Sequence, residues 1–217
     1  MKKCIILANG FPPRKNTVKY LQDKGYKTLL CADGGANSAK TLDLIPEYII
    51  GDLDSIRPDV YKFYSDKSDI IKINRQNDTD IEKCLKFVIK KKYDEVVLLG
   101  ATGDRLDHSF CNLGIVLKYF SKIKMMIIHQ RSLLTAYTGN IILSTIPNEI
   151  ISLYGIDSRT RVKSYGLKYP LKNITLPFGQ KESTSNIAVN NKVQLQIKGG
   201  IIFVIRDFDL LKKYDLF

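Results

Sequence analysis

Apolar residues in the first part of the chain come in short unbroken runs, each closed by a polar, often glycine-bearing cluster. The runs are residues 3–8, 28–31, 48–50, 70–73, 96–99 and 125–128. Short runs without alternation, bounded by turn-forming residues, predict strands buried on both faces. Helical spacing fills the gaps. Ile81, Leu85, Val88 and Ile89 fall on one face of a helix predicted over 80–91. Thr79 is its expected N-cap, and Glu82 completes a capping box. A second helix is predicted from near Asp107, with Phe110, Leu113, Leu117 and Phe120 on one face. Alternating strands and helices imply a parallel sheet with right-handed crossovers.

After about Gly139 the period changes. Residues 150–154, 172–176, 186–189, 193–197 and 201–205 form short, often β-branched segments punctuated by Gly, Pro and Asn. Asn190-Asn191 and Gly199-Gly200 are expected turns between paired strands. The predicted fold class is therefore α/β. A parallel-sheet, Rossmann-like domain spans 1–139, and a small all-β sandwich or barrel spans 140–217.

Composition changes this picture little. The 44% apolar content is enough for real cores and excludes wholesale disorder. A net charge of +12 fits an acidic partner or a Lys-rich chain with solvated faces. There is no Arg-rich aromatic stripe, so no nucleic-acid partner is expected. Cys4, Cys31, Cys84 and Cys111 form no C-x-x-C pair and read as buried free thiols in a reducing compartment. The apolar start breaks at Asn9-Gly10, too early for a signal peptide. No run approaches the ~20 residues that span a bilayer. A cytoplasmic protein without a membrane partner is expected.

The chemistry lies in four polar clusters behind predicted strands: 32–37 (ADGGAN), 51–55 (GDLDS), 76–80 (QNDTD) and 100–108 (GATGDRLDH). Parallel strands bring all four to one sheet edge, where open α/β folds bind ligands. Asp52 and Asp54, two apart, can point the same way. Neighbouring carboxylates call for a cation, and Mg²⁺ suits all-oxygen ligation; a plain turn uses the same residue types. Asp80 is either a third such carboxylate or an acid placed to suit the helix dipole. Gly34-Gly35 and Gly100/Gly103 allow close backbone approach to a ligand, and the following helix starts can cradle phosphate. Neither G-x-x-x-x-G-K-[ST] nor G-x-G-x-x-G is present. Arg105 and Asp107 fit a phosphate contact or a surface ion pair. His108 and His129 read as structural. In the second part, 183–186 (STSN) offers hydrogen-bonding groups, and Phe203 reads as core or as an aromatic platform.

Taken together, these stretches resemble the thiamine pyrophosphokinase family. The matching stretches are CADGGAN at 31–37, GDLDSIRP at 51–58, QNDTDIEKCL at 76–85, GATGDRLDH at 100–108, GLKYPL at 166–171 and STSN at 183–186, all in the family's order. The resemblance implies a homodimer with active sites between subunits. It implies transfer of the diphosphoryl group of ATP to the hydroxyethyl group of thiamine, giving thiamine diphosphate and AMP. Carried over by position, Asp52, Asp54 and Asp80 handle Mg²⁺. Asp33, Gly34, Asn37, Gln76, Thr79 and Arg105 lie on the nucleotide side. Asp107, Ser185, Asn186 and Phe203 contact thiamine, with Phe203 at a position that is Trp in animal members. Asp80 or Asp107 is the candidate base for the thiamine hydroxyl. The competing readings are a metal-dependent nucleotide phosphohydrolase and a nucleotide- or nucleic-acid-binding protein.

Overall fold

The computed structural model describes residues 1–74, 77–103 and 105–217. The chain divides into two compact units, Met1–Gln130 and Arg131–Phe217. The sequence places the change of period at Gly139; the second unit starts at Arg131, and residues 132–139 belong to its first strand.

The first unit alternates β1 (Lys3–Leu7), α1 (Lys15–Asp23), β2 (Thr28–Ala32), α2 (Gly35–Thr41), β3 (Tyr48–Gly51), α3 (Pro58–Tyr64), β4 (Asp69–Lys72), α4 (Asp80–Lys90), β5 (Glu95–Leu99), α5 (Leu106–Lys118) and β6 (Lys124–His129). Every strand pairing among these six is parallel, in the order β6-β5-β1-β2-β3-β4. β5 is buried at every position, as expected of a strand covered on both faces. β4, at the sheet edge, is exposed or half-buried throughout. The chain builds outward from β1 to β4, then crosses to β5 on the other side of β1. That reversal opens a crevice at the carboxyl ends of β1 and β5.

α4 starts where the sequence predicts. Thr79 caps it, its Oγ1 accepting from Glu82 N at 3.3 Å. Glu82 itself turns elsewhere: its Oε1 accepts from Lys118 Nζ at 2.5 Å and Tyr119 Oη at 2.6 Å. Burial pushes the Glu82 carboxyl up, but these two partners outweigh it and hold it below the usual range. Glu82 thus ties α4 to the end of α5.

The second unit contains β7 (Ser132–Ser144), β8 (Ile150–Gly155), β9 (Arg161–Tyr165), β10 (Ile174–Thr175), β11 (Ser183–Ile187), β12 (Lys192–Asp207) and α6 (Phe208–Lys213). All its strand pairings are antiparallel. Gly199-Gly200 is not a turn between two strands. It is a bulge inside the single strand β12, whose two parts both pair with β7. Gly199 adopts φ +84°, and Gly139 of β7, opposite Ile197, adopts φ +72°. Glycine meets this demand at little steric cost. The first half of β12 also pairs with β9, the second half with β8. The extra residues flip the inward parity: Val193, Leu195 and Ile197 face the core before the bulge, Ile202 and Val204 after it. Asn190-Asn191 joins β11 to β12, but β11 pairs with β8.

Three cysteines are buried free thiols; Cys111, expected to be buried, is exposed. No helix among the described residues is long and apolar enough to cross a membrane.

Candidate active site

A cleft of about 260 Å³ opens at the carboxyl edge of the parallel sheet. The ends of β1, β2 and β5 and the starts of α4 and α5 line it. Glycines let these segments approach closely. Gly10 N donates to Gly100 O at 2.8 Å, and a Cβ on Gly10 would lie 2.4 Å from that oxygen. Among the predicted residues, Asp33, Gly34, Thr79, Asp80 and Arg105 line the cleft.

Asp33, Asp52 and Asp80 come together, with a carboxylate oxygen of each within 4.8 Å of the others. Each sits just past a strand or at a helix start. Asp33 follows β2 in a left-handed conformation (φ +41°), unusual for a residue with a side chain. The turn drives its carboxylate inward, and the residue is 1% exposed. Asp33 Oδ2 accepts from Ser55 N at 3.2 Å. Burial, reinforced by the charges of Asp80 and Asp54 and opposed by the Ser55 amide, pushes the Asp33 carboxyl up to about 6. Burial also raises Asp52, but the Lys83 charge and hydrogen bond outweigh it and hold Asp52 below its usual range.

Asp33 Oδ1 and Asp52 Oδ1 are buried without a hydrogen-bond partner among the described residues. Buried carboxylate oxygens left this way are costly. Three carboxylates on one spot form an all-oxygen donor set of the kind Mg²⁺ takes. The residues present therefore fit a hard divalent cation. Asp54, the other acid of the GDLDS stretch, is exposed; its Oδ1 accepts from Ser55 Oγ at 2.9 Å.

The remaining predicted residues fall into distinct settings. Asn37 acts on the backbone: Nδ2 donates to Ser55 O at 2.9 Å and Oδ1 accepts from Arg57 N at 3.0 Å. It pins the loop carrying Asp54 to α2. Arg105 and Asp107 form an exposed two-point pair, Nη2–Oδ2 2.5 Å and Nε–Oδ1 3.3 Å. The Arg105 hydrogen bond holds the Asp107 carboxyl low. Gln76 lies outside the described residues.

In the second unit Ser185 is exposed at φ +54°, its amide donating to Ser152 Oγ at 3.0 Å. Asn186 is 2% exposed and fully engaged. Its Oδ1 accepts from Tyr169 N and Ile187 N, and its Nδ2 donates to Tyr169 O and Ser183 Oγ. As placed, Asn186 shapes the loop around Tyr169. Phe203 is buried on the face of β12 opposite the core residues Ile202 and Val204.

Sequence reasoning passed over several residues in or beside the cleft. Asn9 stands against Gly34, Asn112 donates from α5 to Ala101 O at 2.6 Å, and Lys83 reaches two of the three clustered aspartates. Lys83 carried one signal, its i,i+3 spacing from Asp80.

Comparison with known proteins agrees across both units. Residues 20–128 match the family model described as thiamin pyrophosphokinase, catalytic domain, and residues 140–202 the one described as thiamin pyrophosphokinase, vitamin B1 binding domain. A relative from Oryza sativa subsp. japonica, thiamine pyrophosphokinase 2, is 30% identical over 82% of this chain and 78% of its own length. Thiamin pyrophosphokinase 1 of Caenorhabditis elegans is 28% identical over 98% of this chain and 92% of its own. The crystal structure of thiamine pyrophosphokinase from Bacillus subtilis shares the fold with TM-score 0.82 at 23% identity, covering 96% of this chain and 100% of that one. Yeast thiamin pyrophosphokinase gives TM-score 0.80 at 24% identity over 98% and 89% of the two chains. With both family models matched in order, and the matched residues carrying the carboxylate cluster, the chain belongs to the thiamin pyrophosphokinase family.

Proposed function

We propose that this chain transfers the diphosphoryl group of ATP to the hydroxyethyl group of thiamine, releasing AMP, with Mg²⁺ held at the carboxylate rim of its first unit. The observation that carries the metal part is the pair of buried, partnerless oxygens on Asp33 and Asp52. Asp33, Asp52 and Asp80 would hold the ion, with Asp54 at the exposed margin. The bound ion would supply charge neutralisation on the phosphates and help orient them. Asp33 thereby joins the residues expected on the metal.

The chain's own groups do the rest. Backbone at Gly10, Gly34 and Gly100–Gly103 gives the phosphates close approach. Arg105, at the head of α5, reaches phosphate once it exchanges Asp107 for it. While paired with Arg105, Asp107 is a weak proton acceptor, because the pair holds its proton affinity down. Such a reaction relies on positioning and charge stabilisation more than on covalent help. In this reading the first unit is Rossmann-like and the second is a β-sandwich carrying thiamine contacts, with Ser185 and Phe203 facing substrate and Asn186 shaping the site. A cytoplasmic homodimer with active sites between subunits completes the reading, on the strength of the family resemblance.

The test is a product assay with ATP and Mg²⁺, with and without thiamine. Thiamine diphosphate and AMP in equal amounts, abolished by chelator, is the expected result. Phosphate or pyrophosphate release that ignores thiamine would move the assignment to a nucleotide phosphohydrolase. Asp54→Ala should keep the fold by circular dichroism and lose most turnover; near-normal turnover would remove Asp54 from the metal site.

A further inference from the structure

Lys83 lies one helical turn after Asp80 on α4, and its side chain is 2% exposed. Lysine is seldom buried this far unless paired. Its Nζ stands 2.8 Å from Asp80 Oδ1 and 3.4 Å from Asp52 Oδ2. It therefore spans two of the three clustered carboxylates. The third, Asp33, is 1% exposed and carries a buried oxygen without a partner among the described residues.

The proposed metal reading and this lysine occupy the same carboxylates. Three clustered aspartates, one buried and two half-buried, would alone repel one another and splay. One ammonium among them offsets part of that repulsion and fixes where Asp52 and Asp80 point. The same ammonium sits against two of the carboxylates that a divalent ion would use, so it opposes the ion electrostatically.

We propose that Lys83 is the internal counter-cation of the metal site, a positioning residue that holds Asp52 and Asp80 in place in the metal-free enzyme and competes with the divalent cation for them. The proposal rests on the metal reading above. Lys83 does not touch substrate; it sets how tightly the carboxylates take the ion. The chain thereby keeps the acidic cluster assembled between turnovers at the cost of some metal affinity.

The test is Mn²⁺ binding to the whole chain without nucleotide, followed by electron paramagnetic resonance. Wild type, Lys83→Met, Lys83→Gln and Asp33→Asn would be compared, with melting temperature recorded for each. Lys83→Met removes the charge at similar volume; Lys83→Gln keeps a donor and covers the case in which the methionine variant does not fold. The expected result is Mn²⁺ affinity higher by about tenfold or more in the Lys83 variants, the scale set by removing a unit positive charge close to a divalent ion in a partly screened site. Asp33→Asn should bind more weakly than wild type. A purely structural lysine would lower the melting temperature without tightening Mn²⁺ binding. Folded Lys83 variants with unchanged or weaker affinity would therefore overturn the proposal while leaving the metal reading standing. Wild type that binds no Mn²⁺ would overturn the metal reading and the proposal with it.

Discussion

Arg206 and Glu149 form a two-point ion pair inside the second unit: Nε donates to Oε1 at 2.6 Å and Nη2 to Oε2 at 3.0 Å. Nη2 also donates to Ser144 O at 2.7 Å, and both side chains are buried. The pair joins β12 to the loop between β7 and β8. Arg206→Met leaves the Glu149 carboxylate buried and uncompensated, and should destabilise the unit by about 3–5 kcal/mol in urea denaturation. The double variant Arg206→Met/Glu149→Met should recover most of that loss. A single variant close to wild type would mean that water reaches Glu149.

Stability should depend on pH through Asp33. Its folded-state pKa, raised by burial to about 6, lies above its value in the unfolded chain. The folded chain therefore binds this proton more tightly. The stabilisation linked to it is full below the unfolded pKa and is lost as pH rises through about 6. In chelator, wild type should lose stability relative to Asp33→Asn across that window, measured by denaturation midpoints at fixed ionic strength. Parallel curves for the two would refute the assignment.

Two adjacent glycines at the cleft should differ in their tolerance of a methyl group. A Cβ on Gly35 would stand 2.1 Å from Leu7 O, a backbone atom of β1. One on Gly34 would meet the side-chain amide of Asn9 at 2.4 Å. Backbone in a buried strand yields little, so Gly35→Ala should cost about 2 kcal/mol or more. Gly34→Ala asks only that Asn9 swing aside, and should spare stability while perturbing nucleotide binding. Thermal melting and nucleotide titration of both variants would separate the effects.

Thr79 should matter through geometry. Its hydroxyl satisfies the Glu82 amide at the start of α4, one residue before Asp80. Thr79→Ala should cost about 1 kcal/mol. It should also lower turnover by loosening Asp80, whereas Thr79→Ser should restore both. Equal turnover in the alanine and serine variants would show that the cap does not position Asp80.

The parallel sheet was legible because each strand is a continuous apolar run closed by turn residues, the pattern that burial on both faces demands. Convergence of Asp33, Asp52 and Asp80 followed from that topology, since consecutive parallel strands place their following loops at one edge. β7 was not legible. Its sequence, SLLTAYTGNIILS, mixes Thr, Tyr, Gly and Asn into a strand that alternates and then bends. β9 hid for a related reason: of its inward positions Val162 and Ser164, one is polar, its hydroxyl accepting from Leu171 N at 2.8 Å. The Gly199-Gly200 bulge has the composition of a hairpin turn, and only pairing to one common partner distinguishes them. Asp33 in place of Asp54 within the tight cluster depends on a left-handed backbone that no local pattern announces. Lys83 looks like any i,i+3 helix pair until the buried position of the helix start is known.

β12 follows every other strand of the second unit, yet it is the strand with which β7, β8 and β9 all pair. During synthesis those three must wait with open edges until residues 192–207 leave the ribosome. In the first unit β2, β3 and β4 each pair with the strand made just before, and β1 alone keeps an edge open for a later strand, β5. Long-range pairing of this kind slows folding and prolongs the exposure of unpaired strands to aggregation. The second unit is thus where chaperone dependence should concentrate, and a ribosome stalled before residue 192 would hold a finished first unit beside an unfinished second.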